Sequence, residues 1–390
     1  LALMLGKQIQ KNCEHRGEVW IKKVQTLASF KYAISGPGLI RPIDLFRIPY
    51  NPARMTKKFH VPIVRMWFDG CNKYDKHHLR ANDTTVNDEI IAYHMNKQPD
   101  ILCIGSVLWD VIGRSSRAMR QGSDVPGRIT RLPGGVAMNI AMTLARFGMT
   151  PALLTALGRD AEGDELMAAC AARGIITDTI YRSEDLPTDS YMAVEGANGL
   201  IAAIADAHSL EAAGAKILRP LSDGTLADPD HLFGGLIALD GNLTVELLSE
   251  IANDPSLIKA DLRVAPASPG KAERLLPFLH AGRGTLYVNL EEAGLLCQTT
   301  FTSSNDAAAA LLAKGAARVL VTDGGSDASE GTDGEIISQT PPQVLVTRIT
   351  GAGDTFMAAH IAAESRGADS KTALNDALKS AATYVSGEPV

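Results

Sequence analysis

The chain has 390 residues, 45% of them hydrophobic and 21% charged, with a net charge of −6. That length is enough for one large globular domain or two smaller ones. No apolar run approaches the roughly 18–20 residues of a membrane span, so a transmembrane helix is excluded.

The charge is unevenly spread. Residues 1–99 hold 16 basic and 8 acidic side chains, and residues 100–390 hold 22 and 36. The first part is therefore net +8 and the second net −14. Residues 1–99 also lack a clear hydrophobic period, and "SGPGLIRPIDLFRIPYNPARM" has too much Pro and Gly for long elements. A basic N-terminal extension of little independent function is expected there. The other reading is an arm that binds nucleic acid or an acidic partner. Its apolar start, "LALMLG", is too short for a secretory signal. Cys71, His77 and His78 do not have zinc-finger spacing.

From residue 100 the pattern alternates between strand and helix. An apolar strand is expected over 101–108, a helix over 136–148, a strand over 151–158 and a helix over 160–174. "SYMAVEG" and "LIAAIADA", joined by "ANG", read as a hairpin within 187–206 that breaks the alternation. A buried strand at 235–242 precedes a helix capped by Thr244. Short strands follow at 262–266, 285–289 and 317–325, and helices near 351–366 and 371–386 close the chain. The alternation predicts an α/β fold with a doubly wound, mostly parallel sheet flanked by helices, and a small β lid from the hairpin. Sparse aromatics, 5%, and abundant Ala and Gly suit helices packed closely on a sheet. Five scattered cysteines with no CxxC imply reduced thiols and a cytoplasmic protein.

No P-loop, HExxH, GxSxG or GxGxxG pattern occurs. Two glycine features stand out. In "RITGAGDTF", with Thr350 as N-cap, Gly351, Ala352 and Gly353 would form the first turn of a helix whose amides lack intrahelical partners. Such a turn is either plain helix punctuation or an anion hole with Asp354 as a base beside it. In "LPGGVAMNIA", Gly134 and Gly135 precede a helix, and Asn139 faces inward in need of a partner. Asp110 after the first strand, Asn289 and Glu292 at one strand-to-helix junction, and Thr322 and Gly324 at the end of another strand complete the set. All are expected at the carboxyl ends of strands, where open α/β sheets bind ligands.

Taken in order, these residues resemble the ribokinase-like (PfkB-type) carbohydrate kinases over about residues 100–385. "GGVAMNIA" is similar to the family's first signature and "TGAGDTF" to its second, with N-x-x-E between them. Within the family, "SDVPGRITRLPGGVAMNIA" looks closest to the pseudouridine kinases. The resemblance implies a domain over 100–390, with Asp354 as the base and Gly351, Ala352 and Gly353 as the anion hole. It implies ATP at Asn289, Thr322, Gly324 and Thr350, and Mg²⁺ at Asn289 and Glu292. Asp110, Gly134, Gly135, Asn139 and Asn242 would bind the sugar or nucleoside. The lid would close over substrate and pair two copies into a homodimer, with neither a membrane nor a nucleic acid as partner.

The departures lie on the nucleotide and cation side. Arg348 stands where an acid or amide usually helps a monovalent cation. Its guanidinium would either replace that cation, making activity independent of K⁺, or point to solvent. Asp327 replaces a glycine near the phosphates in an acidic stretch with Glu330, Asp333 and Glu335, and a carboxylate there should weaken nucleotide binding unless it faces Mg²⁺ or water. Ala265 and Ala359 replace an Asp and a Gly. Three activities remain open: a nucleoside kinase with pseudouridine favoured, another sugar kinase (ribose, fructose or 2-keto-3-deoxygluconate type), or a catalytically weak sugar-binding regulator.

Overall fold

The structure, a computed structural model, describes residues 98–332 and 334–388. The basic stretch, its Cys71, His77 and His78, and Asp333 lie outside the described residues.

The chain enters through β1 (Ile101–Ile104), β2 (Leu108–Arg114) and β3 (Arg128–Gly134), then α1 (Val136–Arg146). Next come β4 (Pro151–Leu154), β5 (Ala156–Gly158), α2 (Ala161–Ala171) and β6 (Tyr181–Ser183). The hairpin of β7 (Ser190–Gly196) and β8 (Gly199–Asp206) leads into α3 (His208–Ala213). Then β9 (Leu236–Asp240), α4 (Val245–Asn253), β10 (Asp261–Ala265), α5 (Leu276–Ala281), β11 (Thr285–Asn289) and α6 (Leu290–Cys297) alternate. The last part is α7 (Ser304–Ala313), β12 (Arg318–Thr322), β13 (Ala328–Thr332), β14 (Glu335–Gln339), α8 (Ala352–Ser365) and α9 (Ser370–Ser386). Among the described residues, no helix is long and apolar enough to cross a membrane.

Eight strands form the main sheet in the order β14-β13-β12-β11-β10-β9-β1-β4. The six from β4 to β12 run parallel, and β13 and β14 add an antiparallel edge. Strands buried on both faces need unbroken apolar runs. In β1, Leu102 and Ile104 pack into one layer with α3 to α7, while Ile101 and Cys103 pack into the other with α1, α2, α8 and α9. Each such side chain contributes about 1.5–3 kcal/mol by leaving water. Thr244 caps α4, accepting from the Leu247 amide at 3.2 Å.

The lid is larger than the hairpin. A separate sheet has the order β3-β2-β7-β8, so residues 108–114 and 128–134 join it. The expected strand 101–108 therefore ends at Ile104, and the chain then turns into the lid. The expected strand 151–158 also divides, because β5 leaves the main sheet to pair with β6. The acidic stretch after Thr322 is a hairpin. Glu330 in β13 turns inward and is buried.

That inward carboxylate belongs to a buried ionic network beneath α8. The four oxygens of Glu330 and Glu364 are taken by Arg318, which reaches both, Arg263 and His360. The Tyr287 hydroxyl is 2.9 Å from His360 Nδ1. Glu330, His360 and Glu364 stand close enough to ligate a metal, but the two guanidiniums already neutralise the carboxylates. Burial raises the Glu364 carboxyl, yet the Arg318 hydrogen bond and the charges of His360 and Arg263 outweigh it and hold it at about 2. Removing one partner strands the others in a low-dielectric interior. Glu330→Ala is expected to lower the unfolding free energy by about 3–5 kcal/mol in a urea titration.

Candidate active site

The main sheet changes winding direction at β1. The chain moves outward from β1 to β4, crosses back to β9 on the other side, and continues through β10, β11 and β12. At such a point the two flanking connections diverge and leave a crevice at the carboxyl ends. Ser106, Asp240, Asn289 and Thr322 all stand at that edge, with Asn289 and Thr322 side by side in register.

The floor of the crevice is a polar knot around Asp240. This fully buried carboxylate accepts from the Ser106 amide at 2.7 Å and the Ser106 hydroxyl at 2.5 Å. It also accepts from the Asn242 amide at 2.8 Å. Ser106 Oγ in turn accepts from the Val136 amide and from Asn242 Nδ2, each at 3.0 Å. Asn242 Oδ1 receives Lys271 Nζ at 2.5 Å. Burial, then the Arg274 charge, lowers the pKa of Lys271. Two early amides of α1, those of Val136 and Met138, are thus satisfied by Ser106, whose carbonyl accepts the second at 3.3 Å.

Asp110 does not simply follow the first buried strand. It is the third residue of β2, in the lid, opposite Leu132 and Tyr191. A Cβ at Gly134 would collide with its carboxylate, and Gly135 holds φ 95° against the Ser106 carbonyl. The glycine pair therefore packs Asp110 and Ser106 against the entry to α1. Burial pushes Asp110 up to about 6.

Asn139 finds its partner in Asp354, 215 residues away. Its Nδ2 donates to Asp354 Oδ2 at 2.9 Å. Burial pushes Asp354 up to about 7, against that hydrogen bond and with help from the charges of Asp240, Asp110 and Glu292. The N-cap of α8 is Gly351, at φ 89°, and not Thr350, whose side chain makes no cap. The expected anion hole also shifts. The Ala352 amide donates back to the Ile349 carbonyl at 3.0 Å, whereas the amides of Gly353 and Asp354 make no backbone hydrogen bond. An open, dipole-aligned pair of donors beside a half-buried carboxyl has the chemistry to attract an anion next to an acid–base group.

Asn289 and Glu292 form a capping box on α6. The Asn289 side chain accepts from the Glu292 amide at 2.9 Å, and Glu292 Oε2 accepts from the Asn289 amide at 2.8 Å. Burial pushes Glu292 up to about 7, against the Asn289 amide and with a further push from Glu291. Its second oxygen makes no hydrogen bond among the described residues. One free carboxylate oxygen suits Mg²⁺, which keeps most of its waters and takes few protein ligands. Thr322 ends β12, and Gly324 turns the following hairpin at φ 53°. The Asp327 carboxylate accepts from Thr340 Oγ1 at 2.6 Å. Ala265 and Ala359 are buried in the layer that holds α8. Arg348 is exposed, and its guanidinium lies against the end of α9. Its Nε donates to the Tyr384 carbonyl at 2.7 Å.

Ser106, Asp240, Lys271 and Tyr384 were not singled out from the sequence. Asp240 had a readable sign, an acid ending an otherwise apolar strand. Ser106 fell inside the expected strand 101–108 without a distinguishing feature. Nothing local marks Lys271 or Tyr384, whose meaning comes from what they touch.

Comparison with known proteins identifies the family. The family model for pfkB family carbohydrate kinases matches residues 98–388. The chain belongs to that family, and is a carbohydrate or nucleoside kinase with the ribokinase-like fold. A pseudouridine kinase of Escherichia coli (strain K12) is 29% identical over 269 residues, covering 68% of this chain and 83% of its own. An uncharacterized sugar kinase of the same organism, YeiI, is 29% identical over 275 residues, covering 68% of this chain and 73% of its own. Among solved structures, a carbohydrate kinase from Agrobacterium tumefaciens has a TM-score of 0.62 at 26% identity, covering 72% of this chain and 89% of its own.

The Asn139 hydrogen bond favours the ionised form of Asp354, so losing it raises the carboxyl further above its ordinary value. Asn139→Leu is expected to move the Asp354 titration above about 7 in a carboxyl ¹³C NMR experiment.

Proposed function

We propose that this chain transfers the γ-phosphoryl group of ATP to the primary hydroxyl of a ribosyl nucleoside, with pseudouridine the favoured acceptor. The observation that carries the proposal is Asp354, held by Asn139 beside the free amides of Gly353 and Asp354. In this scheme Asp354 accepts the hydroxyl proton as that oxygen attacks phosphorus and the bond to the departing diphosphate breaks. The open amides of α8 receive negative charge on the transferring group. Glu292 and Asn289 would hold Mg²⁺, which supplies charge neutralisation at the phosphates. Thr322, Gly324 and Thr350 would border the nucleotide.

Asp110 and Asn242, with Lys271 behind Asn242, would bind the acceptor's hydroxyls, next to Gly134, Gly135 and Asn139. Tyr191 stands opposite Asp110 across the β2–β7 pair, and so on the same lid face. An aromatic ring there gives a nucleobase a surface to lie on, which a simple sugar does not need. That, with the name of the Escherichia coli relative, favours a nucleoside over ribose, fructose or 2-keto-3-deoxygluconate.

A base must be ionised to accept a proton. With Asp354 raised to about 7, it is protonated and inactive below that pH, so kcat/KM is expected to rise through about pH 7 and level off above it. ATP consumption should be measured with pseudouridine, uridine, adenosine, ribose and fructose, with and without K⁺. Turnover is expected with pseudouridine above the rest and at equal rates in both salts, since position 348 carries a cation where an acid or amide would help to hold K⁺. Asp354→Asn is expected to lower kcat by about 10²–10⁴-fold. Acceptor binding without turnover in any case would instead mark a sugar-binding regulator.

A homodimer through the lid belongs to the same proposal. Register places Met192 opposite both Val111 and Ile204, and Ile129 opposite Gly113, so one lid face carries Ile129, Met192 and Ile204. These are 76%, 53% and 68% exposed. Such a patch is costly to leave in water. Light scattering after gel filtration is expected to give a dimer for the full chain and a monomer for Ile204→Lys.

A further inference from the structure

The segment that enters α8 is fastened to the end of α9 by two side chains that the phosphoryl-transfer scheme does not use. Arg348 Nε donates to the Tyr384 carbonyl, and its guanidinium lies 3.8 Å from the centroid of the same tyrosine's ring. Tyr384 Oη donates to the Thr350 carbonyl at 2.8 Å. The same hydroxyl lies 2.6 Å from where a Cβ would stand at Gly351, so tyrosine and glycine are matched to one another.

The two carbonyls that a longer α8 would use have other partners. If the helix ran one turn further back, the Gly353 amide would donate to Ile349 and the Asp354 amide to Thr350, the usual four-residue step. Neither bond forms. The Ile349 carbonyl accepts the Ala352 amide at 3.0 Å, and the Thr350 carbonyl accepts the tyrosine hydroxyl. From this we infer that Tyr384, steadied by Arg348, is a positioning residue that draws the Thr350 carbonyl away from α8 and keeps the Asp354 amide open to the transferred phosphoryl group. The function of the clamp rests on the kinase reading, but its structural effect can be read without turnover.

Tyr384→Phe keeps the ring and removes the one donor. Arg348→Gln removes the stacked cation and keeps the hydroxyl, and serves if the first variant folds poorly. Amide hydrogen exchange is measured at Gly353 and Asp354 in the substrate-free chain, beside steady-state kinetics with ATP and pseudouridine. In Tyr384→Phe the Asp354 amide is expected to gain the Thr350 carbonyl and exchange at least about fivefold more slowly. Its kcat should fall about three- to tenfold with the acceptor KM within about twofold, the size of one lost hydrogen-bond donor in the transition state. Arg348→Gln should shift both in the same direction by less. An Asp354 amide that exchanges unchanged or faster in Tyr384→Phe overturns the inference, as does an unchanged kcat. A side chain that merely stabilised the fold would lower the melting temperature without slowing that amide. If the parent chain turns over no acceptor while the amide still slows, the kinase reading fails and the clamp stands.

Discussion

Asp240 carries a charge with no exposed surface, and the geometry of the crevice follows from the way it is satisfied. A buried carboxylate without partners would cost several kcal/mol or take up a proton. Here Ser106 and Asn242 supply four hydrogen bonds, two of them from backbone amides. Those partners belong to the turn after β1 and the turn after β9, the two strands between which the sheet changes direction. Satisfying one carboxylate thereby locks both sides of the switch point. Ser106 extends the lock to α1, and Asn242 extends it to Lys271.

The rest of the site is arranged around a surplus of negative charge. Asp110, Asp354 and Glu292 are all pushed upward, to about 6, 7 and 7, first by burial. Such acids hold protons more readily than their solvent-exposed counterparts. A group poised near neutrality is suited to accept a proton from a hydroxyl. The two glycine-led helix starts differ: Ser106 takes the Val136 and Met138 amides of α1, whereas the Gly353 and Asp354 amides of α8 make no backbone hydrogen bond.

α8 joins the site to the deepest ionic contacts of the fold. Its first turn holds Asp354, and the next turns hold His360 and Glu364, fixed among Arg263, Arg318 and Glu330. A buried network of this kind is poor value as a source of stability, because desolvation offsets most of the attraction. It is strongly orienting, since two planar guanidiniums accept few alternative geometries. A base placed on a helix pinned that way is held in position from below by the core and from the side by Asn139.

Much of this protein was legible in its residues. The alternation of short apolar strands with helices specified a parallel sheet, because strands buried on both faces are built mainly from apolar residues. The small-residue turn before Asp354 and the paired glycines before α1 marked both helix entries, since amides without partners need either small neighbours or a ligand. Pairings between distant residues were not legible. Glu330 read as an acid near phosphate until the β12–β13 hairpin turned it onto Arg318. Asn289 and Glu292 had capping-box spacing, yet their place beside Thr322 required the register of β11 with β12. Asp110 read as a strand end until β2 was seen in the lid. Arg348 and Tyr384 are 36 residues apart, and no periodicity relates them. Sequence by itself determined the local entropy and burial preferences that make each element. Tertiary structure alone decided which carbonyls, amides and charges meet, because those contacts depend on how the sheet winds and not on neighbours along the chain.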